Sequence, residues 1–84
     1  MEPVELPIED TIDLHTFQPR EIPDLVKEYL YQVLEKGYRE VRIIHGRGAG
    51  VQRSIVHSIL RKNAEVISFH DAPDLGSTVV VLRR

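Results

Sequence analysis

The chain is predicted to be one α/β domain, a two-layer sandwich of order βαβαββ with a mixed four-stranded sheet and both helices on one face. Two apolar stripes with helical spacing, separated by a short β-rich run, argue for a pair of crossover units. A further β-rich run precedes the first stripe, and two more close the chain with only a short turn containing Pro73 and Gly76 between them. Crossovers make strands parallel and a turn this short makes a hairpin, so the sheet is mixed. Eighty-four residues suffice for one core of modest size.

Residues 1–10 are rich in proline and acid and read as an extended lead-in, with residues 11–84 forming the domain. Residues 11–15 alternate with period two, Ile12 and Leu14 opposite Asp13 and His15, as a strand with one covered face requires. Residues 16–22, with Pro19, form a turn. Ile22, Leu25, Val26, Tyr29, Leu30, Val33 and Leu34 then make a single helical stripe. Pro23 is tolerated only in the first turn, which starts the helix near Glu21, and Gly37 is its natural left-handed stop. Residues 40–45 are a second strand. The second helix runs from Gly50 to about Lys62 and Asn63, its stripe formed by Val51, Ile55 and Ile59 with Val56 and Leu60 beside it. Residues 66–70 and 78–83 are the last strands, and residues 71–77 turn between them.

Composition excludes several classes. The 42% hydrophobic content suits a globule, no apolar run reaches membrane length, and the acidic N-terminus lacks the basic-then-apolar pattern of a secretory signal. Without cysteine there is neither a disulfide nor a thiolate metal site. These features fit a cytoplasmic protein. The net charge of −2 argues against a generic polyanion binder, but it is unevenly spread. Residues 1–40 hold ten acids and four bases, a net of −6, while residues 41–84 hold three acids and seven bases, a net of +4. A local basic face on an acidic chain is therefore permitted.

Chemistry concentrates where the first two strands end. Asp13 and His15, two apart on a strand, share a face, where a carboxylate can orient an imidazole for general acid–base work. Taken alone, Asp-x-His fits a solvated strand-end turn equally well. His45-Gly46-Arg47-Gly48-Ala49-Gly50 is more specific: alternate glycines let backbone approach a ligand, and the helix behind them offers unpaired N–H groups to a phosphate. Arg47 adds a bidentate contact. The spacing is not a dinucleotide fingerprint and there is no Walker lysine. If the strands are parallel neighbours, Asp13, His15, His45, Arg47 and the glycine loop face a common substrate. Arg53, His57 and Arg61, four apart, form a ladder away from the apolar stripe. Arg53 is nearest the loop, and the far end reads as a solvated helix face. Phe17 either stacks a base or packs under the helix entrance. Asp13, His15 and His45 are three possible metal ligands, but no closely spaced histidine pair supports a dedicated site. No resident cofactor is expected, although a loosely held Mg²⁺ remains compatible.

Asp13-Leu14-His15, then Val41-Arg42-Ile43-Ile44-His45-Gly46-Arg47-Gly48, then Gly76-Ser77-Thr78-Val79-Val80 closely resembles the Smr (small MutS-related) domain, over about residues 11–82. The resemblance implies a free-standing member with a fold similar to the C-terminal domain of bacterial translation initiation factor three. It also implies nucleic-acid binding and endonuclease activity on DNA or RNA, since Smr domains occur on mismatch-repair-like ATPases and in ribosome-rescue factors. Asp13 and His15 would carry cleavage, and His45, Gly46, Arg47 and Gly48, with Gly50 and Arg53 beside them, would grip the phosphodiester backbone. Thr16 stands where the first motif usually has glycine. The alternatives are a non-catalytic module that docks on nucleic acid or a ribosomal surface, and a binder of small phosphates through the glycine loop. The oligomeric state is not legible in the sequence.

Overall fold

The computed structural model describes residues 9–48 and 50–83. The sequence-derived lead-in therefore lies largely outside the described residues. The chain forms β1 (Thr11–Asp13), a single 3₁₀ turn (Pro19–Glu21), α1 (Ile22–Glu35), β2 (Glu40–Ile44), α2 (Val51–Lys62), β3 (Val66–Asp71) and β4 (Ser77–Leu82). The sheet order is β1-β2-β4-β3. β1 runs parallel to β2, and β4 is antiparallel to both β2 and β3. The predicted mixed sheet is thus present, with β4 inserted between the second and third strands.

α1 follows the expected stripe, burying Ile22, Val26, Tyr29, Leu30 and Val33. Its start is organised by the Gln18 N–H donating to Glu21 Oε2 at 2.8 Å, with Pro23 inside the first turn. Gly37, at φ +82°, ends the helix, and the Tyr38 N–H returns to the Val33 carbonyl at 3.0 Å. The Tyr29 hydroxyl donates to the Glu9 carbonyl at 2.7 Å, fastening the start of the described chain to α1. Burial raises the pKa of that phenol and keeps it a donor.

α2 departs from its predicted stripe. Val51 is exposed, Ile55 and Ile59 are only partly covered, and the inward residues are Val56, His57 and Leu60. Of the Arg53, His57 and Arg61 ladder, the two arginines are exposed, but His57, at the end read from the sequence as solvated, is buried. Its burial is possible because His57 finds polar partners inside, as described below.

One face of the sheet carries both helices. Alternate residues Val41 and Ile43 of β2, and Val80 and Leu82 of β4, join the inward residues of α1 and α2 in a single cluster with Leu14. The other face presents Thr11, Arg42, Val79 and His70 in one cross-strand row. Among the described residues, no helix is long and apolar enough to cross a membrane.

Leu30 is 1% exposed and belongs to this core cluster. Leu30→Ala is expected to destabilise the fold by about 2–5 kcal/mol, measured as a lower denaturant midpoint at unchanged slope.

Candidate active site

The ends of β1, β2 and β3 and the start of β4 meet at one sheet edge. The register aligns Asp13 with Ile44 and Ile44 with Ser77, and one row back it aligns Ile12, Ile43, Thr78 and Asp71. Both helices also begin at this edge, so the two polar motifs do emerge together.

The first motif is solvent-facing. β1 ends at Asp13, and Leu14 turns inward while its N–H still donates to the Ile44 carbonyl at 2.7 Å. Asp13 Oδ1 accepts from the His15 backbone N–H at 3.0 Å and also pairs with His15 Nδ1. The side chains of His15 and Asp13 are 55% and 50% exposed. The hydrogen bond from the His15 ring, then that from its backbone, lowers the Asp13 pKa below the ordinary carboxylate value. A carboxylate only accepts, so Nδ1 of His15 carries the hydrogen and Nε2 of the neutral ring is a free base.

The second motif wraps the end of β2. Gly46 adopts φ +91°, and a side chain there would come within 3.3 Å of His15 Cβ, so the two motifs are neighbours at this glycine. The N–H groups of His45 and Gly46 both donate to the Gly76 carbonyl, at 3.0 and 2.9 Å. Arg47 lays its aliphatic stem across Gly76, with Cγ at 3.0 Å from where a β-carbon would stand. α2 then starts behind Gly50 without a side-chain cap, leaving first-turn N–H groups for a ligand. A pocket of about 220 Å³ opens there, lined by Gly46, Gly48, Gly50, Gln52 and Arg53, with His45 at its side. Ala49, between these glycines, lies outside the described residues. Phe17 is 39% exposed rather than packed under the helix, and its carbonyl accepts from the Gln52 side chain.

His45 differs from expectation. It is 3% exposed, and its ring points into the covered face rather than outward beside His15. Its Nε2 lies 2.9 Å from Thr78 Oγ1, and His57 Nε2 lies 2.8 Å from the same oxygen. His57 stacks edge-on against Phe69 at 4.8 Å between centroids. Asp71 closes the group: Arg53 Nε and Nη2 reach its two oxygens at 2.9 and 2.5 Å, and His57 Nε2 is 3.5 Å away. Arg53 therefore lines the pocket while held by Asp71, with 43% of its side chain exposed.

The metal trio suggested by the sequence is not assembled. Among the described residues, the group whose ligand atoms converge is His45, His57 and Asp71, within 4.8 Å of one another. There the Thr78 hydroxyl already contacts both imidazoles, and Arg53 occupies both carboxylate oxygens, so a cation would compete with every one of these bonds. Thr78 and Asp71 had no predicted role. Thr78 lies in the Gly-Ser-Thr run and Asp71 at a strand end, but only the pairing of β4 with β2 and β3 brings them to His45 and His57.

The fold and site together define a small two-layer α/β domain with a solvent-facing Asp–His pair beside a glycine loop that leads into an uncapped helix. Comparison with known proteins gives the family: the Smr domain profile matches residues 12–83, and the chain belongs to the Smr family. It is 37% identical over 70 residues to the endonuclease MutS2 of Helicobacter pylori, an alignment covering 82% of this chain and 9% of that protein. It is 39% identical over 62 residues to the endonuclease MutS2 of Caldicellulosiruptor saccharolyticus, covering 69% and 8%. The chain thus spans about a tenth or less of the length of these relatives. The crystal structure of the Smr domain of Thermus thermophilus MutS2 superimposes with a TM-score of 0.84 at 33% identity, covering 88% of this chain and 98% of that one. YdaL, a stand-alone small MutS-related protein from Escherichia coli, gives 0.85 at 27% identity, covering 89% and 65%.

Two outcomes follow from this geometry. Gly46→Ala combines a strained φ with the approach to His15; it is expected to cost about 1–3 kcal/mol in denaturant unfolding and to shift the His15 ring resonances. Burial, then the Arg53 charge, lowers the His57 pKa from 6.5 despite the opposing pull of Asp71. The unfolded chain then binds more protons than the folded one just below pH 6.5, so stability falls as pH drops through that window. His57→Gln should flatten this part of the stability–pH curve. The part below pH 3.8, where Asp13, Asp71 and Asp74 with their lowered pKa values act, should remain.

Proposed function

We propose that the chain is a nucleic-acid-binding Smr domain with endonuclease activity, cleaving or nicking the phosphodiester backbone of RNA or DNA. The observation that carries this reading is the exposed Asp13–His15 pair beside Gly46, with room only for a glycine between them, at the head of the loop that leads to the uncapped α2 N-terminus. One phosphate can then sit on the Gly48 and Gly50 backbone and the first turn of α2 while its neighbour meets His15. The names of the MutS2 relatives, which are endonucleases, support the same activity.

Asp13 fixes the His15 ring with Nδ1 protonated, and Nε2 takes the proton from the attacking hydroxyl. Arg47, together with the loop amides, stabilises the charge that develops on the non-bridging oxygens. Arg53, held against Asp71, presents its remaining N–H groups to the pocket. His45 contributes to nucleic-acid binding from beneath the loop. RNA is the better-matched substrate because its 2′-hydroxyl supplies the nucleophile next to the phosphorus. The O2′–P bond forms, the P–O5′ bond breaks, the 2′-proton passes to His15, and the 5′-oxygen leaves with a proton returned from the imidazolium. The products are a 2′,3′-cyclic phosphate and a 5′-hydroxyl.

The test is cleavage of labelled single- and double-stranded RNA and DNA, with and without EDTA, beside His15→Ala and Asp13→Asn. RNA cleavage should survive EDTA, vanish when the scissile 2′-hydroxyl is replaced by hydrogen, and fall by about 10²–10⁴-fold in His15→Ala. Wild-type rates in His15→Ala would remove the pair from the chemistry. Strictly metal-dependent cutting of DNA would replace the 2′-hydroxyl route with hydrolysis assisted by a loosely held Mg²⁺. Binding without cleavage would assign the chain to the docking role, in which Arg47→Ala outweighs His15→Ala.

A further inference from the structure

Thr78 is wholly buried, yet its hydroxyl is shared by two imidazoles. A hydroxyl has one hydrogen to give and two lone pairs to receive with, and the partners determine where each proton lies. His45 Nδ1 is 3.0 Å from the Gly46 carbonyl oxygen, which can only accept. Nδ1 therefore carries the hydrogen, and in the neutral form of the ring Nε2 accepts from the Thr78 O–H. That donation spends the single Thr78 hydrogen, so His57 Nε2 must be the donor to Thr78. Its N–H also faces Asp71 Oδ1 at 3.5 Å, an acceptor held in place by Arg53. All the protons point one way, from His57 through Thr78 and His45 to the carbonyl of Gly46. That residue is the one at which any side chain would crowd His15 Cβ and whose N–H is held by Gly76.

We propose that Thr78 and His57 are positioning residues of the phosphate loop: a one-way chain of hydrogen bonds sets the tautomer of His45 and, through it, the orientation of the Gly46 peptide. His45 then acts on the loop from beneath rather than on the substrate. Burial keeps His57 neutral at physiological pH, with a lowered pKa, which suits a ring whose Nδ1 needs no proton. Only its consequence for oligonucleotide affinity rests on the function proposed above; the chain of tautomers stands without nucleic acid.

Imidazole ¹⁵N NMR on the full chain near neutral pH reads the tautomers directly. The expected spectrum has His45 protonated at Nδ1 and His57 at Nε2. Thr78→Val keeps the shape and deletes the hydroxyl, whereas Thr78→Ser keeps the hydroxyl. The valine variant should lose the one-sided His45 tautomer, exchange the Gly46 amide hydrogen about tenfold faster, and bind a single-stranded oligonucleotide about tenfold more weakly. The serine variant should recover all three. If the valine variant does not fold, His57→Gln, which keeps a donor to Thr78, and His57→Leu, which does not, should divide in the same way. A wild-type His45 protonated at Nε2, or a Gly46 amide indifferent to loss of the hydroxyl, overturns the proposal. Equal oligonucleotide affinity in wild type and Thr78→Val overturns the positioning role. An absence of oligonucleotide binding by the wild type counts against the nuclease reading, and the tautomers and Gly46 exchange still decide this one.

Discussion

The carbonyl of Gly76 receives two backbone N–H groups, those of His45 and Gly46, at the point where β2 leaves the sheet and the glycine loop begins. The arrangement exists because β4 lies between β2 and β3. The strand that starts at Ser77 brings Gly76 to the loop, Thr78 to both buried histidines, and the end of β3 close enough for Asp71 to receive Arg53. Removing that central pairing would leave the loop tied only to its own strand and helix. The site is thus supported from the sheet outward, with the start of the glycine loop fastened by backbone bonds to Gly76.

The half-covered sheet divides the polar residues into two populations with different chemistry. Asp13 and His15 face water, where an imidazole can exchange protons and meet a polymer. His45 and Thr78 meet His57 of α2 in the interior between helix and sheet, where an unpaired polar atom would be costly. Each therefore finds a partner, and no described buried side-chain nitrogen or oxygen is left without one. Gly46 stands between the two populations: its missing side chain leaves room for His15 on one side, and its carbonyl meets the His45 ring on the other. A change in the interior network can consequently be transmitted to the exposed pair through a single peptide.

The α1 stripe and the alternation in β1 and β2 were legible in the sequence because local periodicity reports which side of an element faces a core. The strand expected over residues 11–15 stops at Asp13, so the Asp13–His15 pair is made in a strand-end turn, where Asp13 Oδ1 also accepts the His15 N–H. α2 was read less well. Its strongest-looking apolar column began at Val51, which the structure leaves exposed, and its buried face includes a histidine that polarity alone places outside. Hydropathy assigns a residue by its own side chain, whereas burial of His57 depends on Thr78, 21 positions away.

The sequence by itself determined the element order, the family and the two polar motifs, since these are set by local pattern and spacing; their common edge was conditional on the parallel pairing of β1 with β2. Tertiary structure decided the direction in which His45 points, the recruitment of Thr78, His57 and Asp71, and the capture of Arg53. Those outcomes turn on strand order and register, which bring together residues far apart in the chain. Hydrogen bonding then selects the tautomers, a choice that depends on which acceptors the fold supplies rather than on any residue alone.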